Sequence, residues 1–365
     1  MENQSLTQTK PNMRILISLL VITLFFSCEE TKKEAKPIPK KTISAVKITS
    51  IFNDSVSIRA IAVTPTNDLV YGGNKTTIGH YNAKSNTHTN LLTGKVSDTL
   101  NVSFRAVAHV NNTTFGISIV NPALLFKITQ DGEVTLVYKE THEKVFYDAI
   151  AFWNEQEGIA MGDTTENCIS IIITRDGGNT WQKLSCDQLP KAKEGEAAFA
   201  ASNTNISIID DNVWIATGGK ASRILHSADK GKTWKVYETP IVQGKETTGM
   251  YSLDFYDAQN GFAIGGDYTK PDNNEANKIK TSDGGKTWEI VAKNSNPGYR
   301  SCVQYVPNSD AKELVAVGFK GIDYSSDAGT TWKHLSDEGF YTIKFSNDST
   351  AYAAGKNRIA KVLFK

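Results

Sequence analysis

The chain has 365 residues, 40 Lys and Arg against 39 Asp and Glu, and 39% hydrophobic residues. That apolar share can fill a sizeable core and excludes a disordered, collagen-like or multi-span membrane chain. The formal charge of +1 gives no electrostatic hold on a polyanion, so nucleic acid is not an expected partner.

At the N-terminus, Lys10 and Arg14 flank a mostly apolar run over residues 15–26 that ends at Ser27-Cys28. A basic head followed by an apolar stretch too short to cross a bilayer reads as an export signal over residues 1–27, not as a transmembrane helix. Phe25-Phe26-Ser27-Cys28 resembles the lipobox of bacterial lipoproteins, with Phe25 where Leu is usual. The resemblance implies cleavage before Cys28, acylation of its thiol, and anchorage to a membrane of the bacterial cell envelope, on the periplasmic side or at the outer-membrane surface. Cleavage removes Glu2, Lys10 and Arg14 and leaves 338 residues of zero formal charge, so lipid and not charge would hold the mature chain. Residues 28–44 are charged, carry Pro37 and Pro39 and lack aromatics, as expected of a solvated tether. Glu29 and Glu30, directly after the cysteine, read as a sorting signal.

From residue 45 onward the apolar runs are short and paired. Residues 58–63, 104–109, 147–152, 196–201, 251–256, 299–306 and 340–345 are each followed by a second run ending in glycine. Those second runs end at Gly72, Gly116, Gly162, Gly218, Gly265, Gly318 and Gly355. Seven such pairs predict the two inner strands of seven blades. After Gly355 only one further strand remains, so residues 45–52 are expected to complete the last blade and close the ring, leaving no long unpaired edge.

An octet of the form [ST]-x-D-x-G-x-T-W occurs four times. Its fixed residues are Asp176, Gly178 and Trp181; Asp229, Gly231 and Trp234; Asp283, Gly285 and Trp288; and Asp327, Gly329 and Trp332. The carboxylate can accept backbone N–H groups across a tight turn, the glycine admits a positive φ, and the tryptophan is an apolar plug. The octet resembles the Asp box, or BNR repeat, of bacterial β-propellers. A device repeated four times is a structural turn, not a catalytic aspartate.

Cys168 and Cys186 lie eight residues on either side of the first octet's Asp176 to Gly178 turn, so a hairpin sets them nearly opposite. They are either a cross-strand disulfide of an exported protein or two buried thiols out of register. Cys302 is left as a packed, unpaired thiol. No CxxC, HExxH or Cys/His cluster occurs among the six His, so neither a metal site nor a cofactor is expected.

Three of the six arginines beyond the export signal fall at the start of an inner run: Arg59, Arg105 and Arg300. Inner strands line a channel, so these guanidiniums either converge at one mouth, where they suit a carboxylate or phosphate, or tie blades together through groups such as Asp148. Tyr147, Tyr251, Tyr299 and Tyr341 fall near the same level, as an aromatic rim or as packing. The loop over residues 265–277, with Asp267, Asp272 and Glu275, is the largest insertion and reads either as part of a binding surface or as a solvated loop.

The four octets, the arginine-led inner strands and the Gly298-Tyr-Arg-Ser-Cys-Val-Gln-Tyr305 segment resemble bacterial relatives of the photosystem II assembly and stability factor. The resemblance implies an all-β, seven-bladed propeller of four-stranded antiparallel blades over residues 45–365. It further implies a non-enzymatic binding or assembly scaffold, monomeric, with a partner or ligand site at the channel mouth, its residues being Arg59, Arg105, Arg300 and Tyr147. The partner expected is an envelope protein, an anionic small ligand or a glycan. The alternative is a glycan-active hydrolase resembling the sialidases, which use three arginines and a Tyr nucleophile. Their Arg-Ile-Pro motif is absent here, and Glu196 and Asp148 are the only carboxylates that head an inner run. Relatives of the non-photosynthetic branch also carry a loose oxidoreductase label. Gly218-Gly219 and Gly265-Gly266 open no helix and make no GxGxxG or P-loop, so no redox cofactor follows from them.

Overall fold

Strands that are buried on both faces lose the strict alternation of apolar and polar residues. Leu314–Gly318 and Ile169–Thr174 are buried along their whole length and make the middle of such blades. The computed structural model describes residues 43–94 and 100–365; the expected export signal, Cys28 and most of the expected tether lie outside the described residues.

Seven antiparallel sheets follow one another, each with four blade strands taken outward from the first, and the fifth is extended at its inner edge by two further two-residue strands. The first strands are Ile58–Val63, Phe104–Val110, Tyr147–Phe152, Ile206–Ile209, Thr248–Phe255, Cys302–Tyr305 and Thr342–Phe345. Each of them touches the first strand of the next blade, and the seventh touches the first, so the ring is closed. Val46–Asn53 pairs antiparallel with Arg358–Phe364 and supplies the outer strand of blade seven, the closure expected from the sequence. The apolar cores sit between neighbouring blades: Cys302, Val317 and Ile322 of blade six pack with Ile343, Ala351 and Val362 of blade seven.

One strand differs from expectation. Residues 196–201 do not form the inner strand of blade four; Ile206–Ile209 does, paired with Asn212–Ala216. Only Glu196–Ala197 is extended, and it pairs with Gly218–Gly219, which in turn joins the inner edge of blade five. Apolar composition alone could not choose between two neighbouring runs, and residues 198–202 are used in crossing the channel.

The four octets adopt one turn. In the first, Thr174 Oγ1 donates to Asp176 Oδ1 at 2.9 Å, while the Thr180 amide donates to Oδ1 at 2.9 Å and the Thr180 hydroxyl to Oδ2 at 2.7 Å. The same pattern recurs at Asp229, Asp283 and Asp327. Gly178, Gly231, Gly285 and Gly329 have φ of 76°, 79°, 81° and 80°, which an L side chain adopts only under strain. The indole N–H of Trp234, Trp288 and Trp332 donates to the carbonyl of the octet's own glycine. Cys168 and Cys186 are joined by a disulfide across the hairpin, with Cα atoms 5.5 Å apart, and Cys302 is buried and free.

Candidate functional site

The inner strands are bulged near their starts. The pairing of the first two strands skips one residue between Ile58 and Ala60, Phe104 and Ala106, Tyr147 and Ala149, and Met250 and Ser252. The residue so released from the ladder is Arg59, Arg105, Asp148 or Tyr251, and a bulge re-aims its side chain. Counting back from the pairs Ile208 with Val213, Tyr305 with Leu314 and Phe345 with Ala351 gives the equivalent residue in the other three blades. These are Thr204, Ser301 and Tyr341.

Five of the seven ring positions, Arg59, Arg105, Tyr251, Ser301 and Tyr341, line one cavity of about 520 Å³ at this end of the channel. That volume lies within the range of small-ligand pockets, about 300–1,000 Å³. Every blade contributes to the wall: Phe146 and Asp163 come from blade three, residues 198–201 from the approach to blade four, Tyr268 from blade five, and Tyr299 and Phe319 from blade six.

The other two ring positions are sealed off. Residues 198–205 cross the channel and bond to its wall on nearly every side. Asn203 accepts from the Ile150 amide at 3.0 Å and donates to the Val107 carbonyl at 2.8 Å. Ser202 donates to the Ser301 carbonyl, Thr342 donates to the Ser202 carbonyl, and Thr204 donates to Ser252. The crossing starts from Glu196, which is buried and held by Arg223 at 2.5 Å and 3.0 Å and by the Thr217 hydroxyl. A Cβ on Gly218 would stand 2.2 Å from the Phe199 ring, so the glycine pair read from sequence as a strand end is what admits this segment. The cavity is therefore a bowl with a floor.

Two guanidiniums face into the bowl. Arg59 lies 3.9 Å over the centroid of Tyr341, and Arg105 lies 6.0 Å from that of Phe146. Among the described residues neither forms an ion pair or a side-chain hydrogen bond. Burial, and then the adjacent Arg59 charge, push the Arg105 guanidinium below its usual range, while Asp148 acts the other way. Asp148 is fully buried behind Arg105, and neither of its oxygens has a hydrogen bond of good geometry, although the Ala200 amide is a neighbouring donor. Burial, then the nearby Asp163 charge, hold the Asp148 carboxyl well above the usual range. Asp163 accepts from the Ala198 amide at 2.7 Å, and burial pushes its carboxyl up to about 6.

Of the residues singled out from sequence, Arg59 and Arg105 come together in the bowl and Arg300 does not. Ser301 holds the position equivalent to Arg59, so Arg300 stands one residue earlier, where blade one has the fully buried Ile58. A shift of one residue sends a side chain to the other face of a strand. Arg300 instead pairs with buried Asp323 at 2.6 Å. Tyr147 is off the bowl for the same reason: it is fully buried and donates to Glu140 at 2.7 Å. Tyr251, Tyr299 and Tyr341 line the bowl. Sequence reading missed Phe146, Asp163, Phe199, Tyr268 and Phe319; the register of Phe146 and Phe319 beside the blade ends was a usable signal, and the crossing segment had none. Asp267 accepts from the Thr269 amide and hydroxyl and so organises its own loop.

A closed ring of seven four-stranded blades with a floored bowl at one mouth defines a seven-bladed β-propeller with a ligand-sized site on its axis. Within that class, part of the chain resembles the photosystem II assembly factors. Residues 127–240 match the family model described as photosynthesis system II assembly factor YCF48. A solved structure of YCF48 bound to D1 peptide is similar over 90% of this chain and 97% of that one, at 14% identity and a TM-score of 0.64. A catalytically inactive virginiamycin B lyase from Staphylococcus aureus with quinupristin is similar over 88% of this chain and 100% of that one, at 12% identity and a TM-score of 0.64. A xyloglucanase from Xanthomonas campestris is similar over 86% of this chain and 53% of that one, at 12% identity and a TM-score of 0.61. No curated protein matches the chain by sequence. These neighbours include both a peptide binder and enzymes, so the fold leaves the choice to the site.

Proposed function

We propose that this propeller is a capture or assembly module that holds an acidic segment of a protein partner at its channel mouth. The observation that carries the reading is the pair of adjacent guanidiniums, Arg59 and Arg105, unpaired and half-buried over a closed floor. Two like charges forced together in a partly desolvated bowl are relieved by an anion, and planar guanidiniums suit a carboxylate in two-point contact. The peptide-bound YCF48 neighbour supports a peptide as the occupant. The hydrolase alternative loses support because neither carboxylate that heads an inner run lines the bowl: Glu196 is held by Arg223, and Asp148 is fully buried.

The lipobox-like Phe25 to Cys28 segment supports the companion proposal that the bowl is presented from a membrane of the bacterial envelope by a lipidated Cys28. Replacing Arg59 and Arg105 together by alanine abolishes capture of acidic peptides by the full-length chain while leaving its thermal unfolding unchanged. Undiminished capture overturns the site. For the anchor, Cys28→Ser releases the protein from membranes, and retention refutes it.

A further inference from the structure

We propose that the captured segment is bipartite: an acidic group on Arg59 and Arg105, and close to it in the same chain an aromatic or large aliphatic side chain seated on Tyr268, Tyr299 and Phe319. The inference rests on the capture reading above and adds to it the second half of the ligand.

The bowl is chemically divided. Its cationic side belongs to blades one and two, backed by Tyr341 and Phe146. Its opposite side is a continuous aromatic wall. Phe199 and Tyr251 stack at 3.8 Å with planes 3° apart, and Tyr251 meets Tyr299 edge-on at 4.8 Å. Phe319 lies 5.5 Å from Tyr299, and Tyr268 lies 6.4 Å from both Tyr251 and Tyr299. Tyr251 and Tyr299 are buried and Phe199 partly so, whereas Tyr268 and Phe319 are 48% and 45% exposed. Large apolar side chains so exposed are few among the described residues, and these two sit together on the one cavity that also holds the free arginines. A contiguous exposed apolar patch at a site is the mark of an interaction surface.

Three polar groups beside the wall are already engaged. Ser301 Oγ donates to the Tyr341 carbonyl, Tyr251 donates to the Thr247 carbonyl, and Asp163 is held by the Ala198 amide. A sugar seated there needs amide and carboxylate partners for its hydroxyls, whereas an apolar side chain needs none. The charge on the other side requires an anion. A peptide that carries an acidic residue and an apolar one meets both demands within a single short segment.

The test is selection of random dodecapeptides on the full-length, detergent-solubilised chain, followed by fluorescence polarisation with the enriched peptides. The expected enrichment is Asp or Glu within about three positions of Phe, Tyr, Trp or Leu, the roughly 10 Å reach of an extended segment. Tyr268→Ser combined with Phe319→Ser weakens those peptides about ten-fold and leaves versions with Ser at the apolar position unaffected. Arg59→Ala combined with Arg105→Ala weakens both kinds. Acidic peptides enriched without an apolar preference, with equal affinity for the Tyr268/Phe319 variant, overturn the bipartite ligand and leave the capture reading standing. Failure of any acidic peptide to enrich, or binding of xyloglucan or another glycan in its place, overturns both.

Discussion

Arg300 Nε donates to Asp323 Oδ2 at 2.6 Å inside blade six, with both side chains almost wholly buried. The second carboxylate oxygen accepts from His334 Nδ1 at 3.0 Å, and Arg300 also donates to the Tyr299 carbonyl. This arginine is a blade tie, and Arg59 and Arg105 face the bowl, although all three look alike in sequence. Removing one partner of a buried pair leaves the other charge uncompensated. Arg300→Ala is therefore expected to destabilise the fold by about 3 kcal/mol or more, while Arg59→Ala costs less than about 1 kcal/mol and removes peptide binding. Urea titrations run beside a binding assay separate the two. An Arg300→Ala protein of unchanged stability and lost binding would contradict the assignment.

What sequence carries and what it omits divides along physical lines. The octets announce themselves because a tight turn admits few residues at Asp176, Gly178 and Trp181, and repetition multiplies the signal. Ring closure by Val46–Asn53 was legible because a propeller cannot tolerate an unfinished blade. Which arginine faces the channel was not legible at Arg300, since the answer depends on a single-residue register that only the pairing of Tyr305 with Leu314 reveals. The crossing of residues 198–205 was hidden for another reason: its bonds run to Val107, Ile150, Ser252, Ser301 and Thr342, all distant in the chain. Nothing local in Ala-Phe-Ala-Ala-Ser distinguishes a channel floor from a strand.

The Cys168–Cys186 bridge closes a loop of sequence separation 18 around the first octet. Loop-closure entropy for a ring of that size is worth about 3 kcal/mol. Replacing both cysteines by serine is expected to lower stability by roughly that amount, and dithiothreitol to do the same to the unaltered protein. Cys302 behaves differently: burial pushes its thiol up, so it reacts with thiol reagents only as the domain unfolds. Mass spectrometry after timed alkylation checks both halves; rapid labelling of Cys302 in the native state would refute the second.

Asn203 pins the floor of the bowl to two blades at once. Asn203→Ala strands the Ile150 amide and the Val107 carbonyl, each costing about 1–3 kcal/mol when left unpaired in the interior. A loss of roughly 2–6 kcal/mol is expected, together with faster amide exchange in residues 198–205 than in the blade strands. Unchanged exchange there would mean that the other bonds of the crossing hold the floor by themselves.

The carboxyl of Asp163 ties stability to pH with a definite sign. Burial raises it from the carboxylate range to about 6, so the folded chain keeps this proton to higher pH than the unfolded chain does. Its contribution is therefore neutral below the unfolded value near 3.9 and becomes destabilising as pH rises, reaching its full size above about 6. Asp163→Asn keeps an oxygen for the Ala198 amide and removes the ionisation. The variant is expected to match the unaltered protein near pH 4 and to exceed it by roughly 2–3 kcal/mol at pH 7, as measured by chemical denaturation at intervals across that range. Asp148→Asn, at the carboxyl facing Arg105 and Asp163, changes in the same direction. Proton uptake by either carboxyl adds positive charge to the bowl beside Arg105, so acidic peptides are expected to bind the unaltered protein more tightly at pH 5 than at pH 7.5, and the Asp163→Asn variant to lose most of that difference. A pH-independent affinity in the unaltered protein would place Asp163 outside the field that the ligand senses.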